Sequence, residues 1–379
     1  MLKSNLFAIA ILLLRQSSLV TAWQSVSSTS QPGSQLPLRR RSNGTIRRSD
    51  GHSVLSVAQN EAVESIKGGI VGTSSSSSSS KQKVAVLLCP AQFCVPGDYT
   101  DFWPTLRKTL EDSDSPIELA GSSRVVPLSR LDWIKVARQL PTMEFLQAKL
   151  PVRPTLIWYF EAIEQALADI LAAEGPDVQI AFVGHSIGGW VARAYLGGLS
   201  QSASATFRLA TERCTALITL GTPHISPREA LVDQTRGLLE AIEATPACSP
   251  KSLLEDAGIS FTCVASQALV GSWMPTNIEG FVAAASYAPL TGKWSNVKGD
   301  GIVPLDLALL PEPARSIVLE KDAITDQDIH HLHVLPTPWN IWDPSAPSLP
   351  LGFSSYVSPG VVLQWAQYLH IAVATGEAV

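Results

Sequence analysis

From Val84 to Leu88 every position is apolar, and the run ends in the turn Cys89-Pro90-Ala91-Gln92-Phe93. A strand with one wet face alternates apolar and polar residues. An unbroken run fits a strand of a parallel sheet covered on both faces. The segments 125–128, 178–183, 216–220, 259–265 and 316–320 read as further strands. Between them the period changes. Leu156, Phe160, Ile163, Leu167, Ile170 and Leu171 recur at intervals of three and four, the apolar face of a helix over 155–174. Thr155 is read as its N-cap and Gly175-Pro176 as its stop. Helices are also expected over 100–110, from Gly188 to about Leu199, and over 359–371. Strands alternating with helices imply right-handed crossovers, hence an α/β fold with a mostly parallel central sheet and helices on both faces.

The first 80 residues do not follow this pattern. They hold eight Lys/Arg and three Asp/Glu, against 20 and 30 in the rest, so the formal charge of −5 averages a basic leader and an acidic body. Lys3, the apolar run Leu6–Leu14 and the small residues before Trp23 read as a secretory signal peptide over 1–22. The Arg- and Ser-rich, acid-poor segment that follows has transit-peptide composition. Ser74–Ser80 is a serine run that reads as a flexible linker. The expected organisation is therefore a signal peptide (1–22), a transit-like segment with linker (23–82) and one domain (83–379). A signal peptide, an aromatic residue after the cut and then a transit peptide resembles the bipartite presequence of algae with complex plastids, with Trp23 where Phe is usual. Plastid is the expected location, with secretion as the alternative.

The chemistry begins at Gly184-His185-Ser186-Ile187-Gly188, a G-x-S-x-G motif entered from an apolar strand and left by a helix. A sharp strand-to-helix turn pushes the serine hydroxyl out above the sheet, and side chains at the flanking glycines would clash. The helix N-terminus behind Ser186 favours negative charge there. A nucleophilic serine needs a base, and the base an orienting acid, from loops after later strands in the order Ser, acid, His. Asp300, between two glycines, is the candidate acid, with Asp306 as its neighbour alternative. His330, His331 and His333 follow the strand at 316–320. His333 is preferred as base because it opens an apolar segment that would fix a ring. His331 and then His330 remain alternatives. The oxyanion hole is expected from the backbone N–H groups of Ile187 and of Gln92, with Phe93 second. No metal or cofactor site is expected: the histidine trio has no second set of ligands at zinc spacing.

The chain resembles the lipase-like α/β-hydrolases, in particular the PGAP1-like, plastid-type members of plants and algae. The resemblance rests on Gly184-His185-Ser186-Ile187-Gly188-Gly189, Leu220-Gly221-Thr222-Pro223-His224 and Gly299-Asp300-Gly301-Ile302-Val303-Pro304, and spans roughly 84–371. It implies the α/β-hydrolase fold, with Ser186 as nucleophile, Asp300 as acid and a downstream histidine as base. The implied activity is carboxylic ester hydrolysis, on a lipid or small ester. An acyltransferase with the same triad and a non-catalytic binding protein on the same fold are the competing functions. The pI near 5.8 argues against nucleic acid as a partner. An acidic body leaves any peripheral membrane contact to apolar side chains around 225–295, a span also read as lid, acyl pocket or ordinary crossover around the 259–265 strand. Trp273, Trp294, Trp339 and Trp342 are candidate walls of a lipid site. Cys89 and Cys94 flank the oxyanion loop, as a disulfide or as two free buried thiols.

Overall fold

The computed structural model describes residues 81–113, 115–139, 141–226, 233, 235–274, 276–335 and 348–369. The signal peptide, nearly all of the transit-like segment, the serine run, Trp339, Trp342 and His370 lie outside the described residues. Strand β1 (Gln82–Cys89) is longer than its apolar run predicts. It is flanked on one side by two short strands, β2 (Ile117–Leu119) and β3 (Arg124–Val125), paired to its two halves. On its other side lie β4 (Gln179–His185), β5 (Cys214–Leu220), β6 (Ser260–Ser266) and, after a small excursion, β9 (Arg315–Leu319). All pairs in this sheet are parallel, and the order is β2-β1-β4-β5-β6-β9. This is the α/β-hydrolase architecture. The chain leaves β1 toward one edge and returns beside it as β4, so a topological switch point lies between those two strands, where crevices open at the carboxyl ends.

The continuous apolar runs are explained by burial on two faces. Ala85, Leu87 and Cys89 face a layer made by α2 (Val152–Glu174) and α3 (Ile187–Leu196). Val84, Val86 and Leu88 face α1 (Phe102–Asp112) and the closing helix, with Trp365 fully buried. Each fully buried aliphatic side chain contributes about 1.5–3 kcal/mol relative to exposure. The long helix starts three residues earlier than its periodicity predicts. Pro151 occupies the N-cap, Pro154 sits in the first turn, and Thr155 is buried inside rather than capping. Proline in a first turn forfeits only an N–H that lacks an intrahelical partner anyway. Gly175 ends the helix at φ +90°.

Strand β6 divides the span 225–295, so it is not one lid inserted over the site. Before β6 the described residues form ordinary crossover helices, Leu238–Glu243 and Pro250–Glu255. After β6 a hairpin-like excursion, β7 (Leu269–Val270) and β8 (Lys298–Gly299), brackets the helix Ile278–Thr291. It delivers the chain to Asp300. The closing helix runs Pro359–Trp365 and continues as a 3₁₀ turn to Leu369. Among the described residues no helix is long and apolar enough to cross a membrane.

Leu87 is fully buried in β1. Leu87→Ala is expected to cost about 2–5 kcal/mol, read by chemical denaturation. A loss below about 1 kcal/mol would contradict this packing.

Candidate active site

Ser186 stands between β4 and α3 at φ +54°, ψ −126°, a conformation that few residues with a Cβ adopt. Its neighbours explain how it is held. A Cβ on Gly184 would run into the backbone of Gly189, and one on Gly188 into the Cys89 carbonyl. One on Gly189 would strike Thr222. The Thr222 hydroxyl donates to the Ser186 carbonyl (2.8 Å), and the Ser186 N–H donates to Leu220 O (2.9 Å). The Thr222 step of the Gly-Thr-Pro-His segment thus holds the turn from the neighbouring strand. His224 of that segment lies buried elsewhere, bonded through Nε2 to Thr219 Oγ1 (2.9 Å).

The histidine beside Ser186 is His331, not His333. His331 Nε2 lies 2.8 Å from Ser186 Oγ, and Nδ1 lies 2.7 Å from Asp300 Oδ2. His331 is clamped further by its backbone N–H, which donates to Asp300 O (2.9 Å). The preferred His333 is engaged elsewhere: its Nε2 donates to the Asp98 carbonyl at 2.6 Å. What separates the two rings is a long-range pairing. Ile329–His330 forms a short parallel ladder with Ser354–Ser355, which presents His331 to the acid loop. His330 packs against Phe353, with ring centroids 4.6 Å apart and ring planes tilted by 30°.

Asp300 is 2% exposed, and its carboxylate is saturated with donors. Oδ1 accepts the N–H groups of Val303 (2.8 Å) and Ile302 (3.0 Å). Oδ2 accepts His331 Nδ1–H and the Tyr356 hydroxyl (2.9 Å). Burial alone would raise the Asp300 pKa, but the His331 charge and hydrogen bond and the two backbone N–H groups outweigh it and hold the carboxyl below its ordinary value. Asp306 is exposed on a short helix and takes no part. Gly221 (φ +57°) has no room for a side chain, because a Cβ would meet both Tyr356 and Asp300.

The loop after β1 reaches the same place, since Gly188 packs on the Cys89 and Pro90 carbonyls. Ala91 O accepts the Cys94 N–H (3.0 Å), closing a turn with Phe93 at φ +62°. Among the described residues, the N–H groups of Gln92 and Ile187 make no hydrogen bond, which leaves both donors available. The Ala91 N–H is taken by Tyr99 Oη (2.9 Å). Asp98 and the buried Arg130 pair at 3.2 Å beneath this loop. Cys89 and Cys94 are both free and buried, and burial pushes the Cys94 thiol up to about 12. Tyr356, Tyr99 and Thr222 were missed as site-building residues. The motif around Thr222 carried a signal, whereas Tyr356 and Tyr99 stand in no recognisable pattern.

Residues 160–231 match the family described as "Putative serine esterase (DUF676)". No curated protein sequence matches the chain. Similar solved structures include RedJ with a PEG molecule bound in the active site, 13% identical over 68% of this chain and 88% of that one, TM-score 0.25. Another is the RedJ thioesterase from the prodiginine biosynthetic pathway in Streptomyces coelicolor, 14% identical over 63% and 80%, TM-score 0.25. Tomato methylketone synthase I complexed with 2-tridecanone is 11% identical over 78% and 98%, TM-score 0.24. The sheet order and the strand–Ser186–helix turn are those of an α/β-hydrolase, and the family match is to a serine esterase.

Two outcomes follow from the carboxylate. A carboxyl with a lowered folded pKa contributes stability above its unfolded value, near 3.8, that is lost as pH falls through the folded value. The melting temperature of the wild type should therefore fall more steeply than that of Asp300→Asn as pH drops from about 5 to about 2. Equal slopes would contradict the bonding described. Tyr356→Phe should lower kcat by roughly three- to tenfold, the worth of one hydrogen bond, with KM unchanged.

Proposed function

We propose that the protein is a serine hydrolase that cleaves carboxylic esters with Ser186 as nucleophile, His331 as base and Asp300 as acid. The observation that carries this reading is the continuous line of contacts Ser186 Oγ–His331 Nε2–His331 Nδ1–Asp300 Oδ2, at 2.8 and 2.7 Å. Asp300 accepts a hydrogen bond from Nδ1–H, which keeps the ring proton there and leaves the Nε2 lone pair to accept the Ser186 proton. Ser186 Oγ attacks the ester carbonyl as its proton passes to Nε2. The tetrahedral oxyanion rests on the N–H groups of Ile187 and Gln92. The imidazolium, stabilised by the Asp300 charge, returns its proton to the leaving alcohol. Water then repeats the sequence on the acyl-enzyme and releases the acid.

The substrate in this proposal is a lipid acyl ester. Supporting it, the excursion that leads into Asp300 exposes large apolar side chains: Trp273 is 62% and Trp294 57% exposed, with Met274 and Phe281 exposed nearby. Those residues would make any contact with a membrane surface. The finer relationship to the PGAP1-like plastid-type enzymes, and delivery to the plastid by residues 1–82, belong to the same proposal.

A fluorophosphonate probe is expected to label wild type at Ser186 and to leave Ser186→Ala unlabelled. Lack of labelling in folded wild type contradicts the proposal. His331→Ala should lose about 10³-fold or more in kcat, and His333→Ala less than about tenfold. The reverse order would restore His333 as base. Lipid profiles of cells carrying wild type and Ser186→Ala should differ in an acyl ester class. A fluorescent fusion to residues 1–82 should enter the plastid of an alga with a complex plastid, and secretion of the fusion would contradict that address.

A further inference from the structure

Beside the triad runs a second chain of hydrogen bonds, and every polarity in it is forced. His185 is fully buried between Gly184 and Ser186. Its Nε2 lies 2.8 Å from the His331 carbonyl oxygen. A carbonyl only accepts, so the ring proton is on Nε2. Nδ1 of the neutral ring is then a lone pair, and the group 2.9 Å from it, the Tyr99 hydroxyl, must donate. The same Tyr99 oxygen accepts the Ala91 N–H at 2.9 Å. Burial, and then the charges of His331 and His333, hold His185 down to about 3, and burial pushes the Tyr99 phenol well above its ordinary value. Both groups therefore keep these roles across the neutral range.

We propose that His185 is a positioning residue that couples the backbone of the base to the oxyanion loop through this chain. At one end it holds the carbonyl of His331, whose own N–H is already held by Asp300 O. The base is thereby fixed on both sides of its Cα, and its ring can move little relative to Ser186. At the other end Tyr99 holds the N–H of Ala91, the residue before Gln92. That bond occupies the Ala91 donor and turns the loop so that the next donor, on Gln92, stays free. The ring lies on the chain segment that bears the nucleophile, so all three catalytic components refer to one rigid element. This role rests on the Ser186–His331 reading of the site.

The two ends can be separated by substitution. Gln places a side-chain nitrogen near the position of Nε2 and keeps a donor for the His331 carbonyl. Asn places an oxygen near Nδ1, keeps an acceptor for Tyr99, and abandons the His331 carbonyl. His185→Asn is expected to lower kcat by roughly 10- to 100-fold with KM within about twofold, as a small displacement of a catalytic group does. His185→Gln should recover kcat to within about threefold of wild type, the loss of one neutral hydrogen bond. Equal losses in the two variants, or losses that track their melting temperatures, would overturn the proposal. If His185→Asn does not fold, Tyr99→Phe, which deletes one hydroxyl, replaces it. A three- to tenfold fall in kcat, about one hydrogen bond, supports the coupling, and an unchanged kcat overturns it. Fluorophosphonate labelling of wild type and Ser186→Ala runs alongside. Failure there removes the esterase reading and this proposal together. Normal labelling with equal Asn and Gln losses removes this proposal alone.

Discussion

The site depends on one backbone constraint: Ser186 is held at φ +54° in a turn packed closely at Gly184, Gly188 and Gly189. A residue in so sparsely populated a conformation costs about 1–3 kcal/mol, and it persists only where its surroundings over-determine it. Here they do. Gly184 lets the start of the helix fold back on the strand, and Gly188 seats that helix on the end of β1. Gly189 admits Thr222, whose hydroxyl bonds the Ser186 carbonyl. Close approach at the glycines therefore does two jobs. It raises Oγ above the sheet, and it draws the loops after β1 and β5 against the turn.

The remaining groups arrive from the carboxyl ends of other strands by different routes. β1 supplies the loop with the free Gln92 donor. The excursion after β6 ends in the Asp300 turn, and the segment after β9 brings His331. Asp300 is the meeting point: its side chain holds the His331 ring, its carbonyl holds the His331 N–H, and Tyr356 ties it to the segment that follows the histidines. A carboxylate with four donors has little freedom to rotate, so the imidazole it orients inherits that rigidity. The buried Asp98–Arg130 pair steadies the facing loop, and Asp98 also takes His333 out of contention.

Much of this was legible along the chain because it is local. Unbroken apolar runs identify strands sandwiched between helices, and the elbow is written in residues 184–189, where each glycine answers to a near neighbour. Asp300 was legible for the same reason, as a lone acid between two glycines. The choice among the three histidines was not. It is decided by a ladder between 329–330 and 354–355, and by the Asp98 carbonyl 235 positions before His333. An apolar residue after His333 says that the segment is buried, not which ring faces the serine. The start of the long helix was misread because Thr155 is a common cap type, whereas the first turn here is set by Pro151 and Pro154. For the span 225–295 the sequence left lid, acyl pocket and ordinary crossover open, and the pairing of β6 with β5 and β9 places its strand in the central sheet.

The central claim is that Ser186 forms a covalent acyl-enzyme whose formation and release both depend on His331. Rapid quenching of the protein with an activated acyl ester, followed by peptide mass analysis, reads this directly. The account predicts a peptide containing Ser186 heavier by the acyl group, formed in a burst by wild type and not by His331→Ala, because His331 takes the Ser186 proton in acylation as well as activating water in deacylation. An acyl group found on another residue, or product formed with no acylated intermediate and no dependence on Ser186, would contradict it.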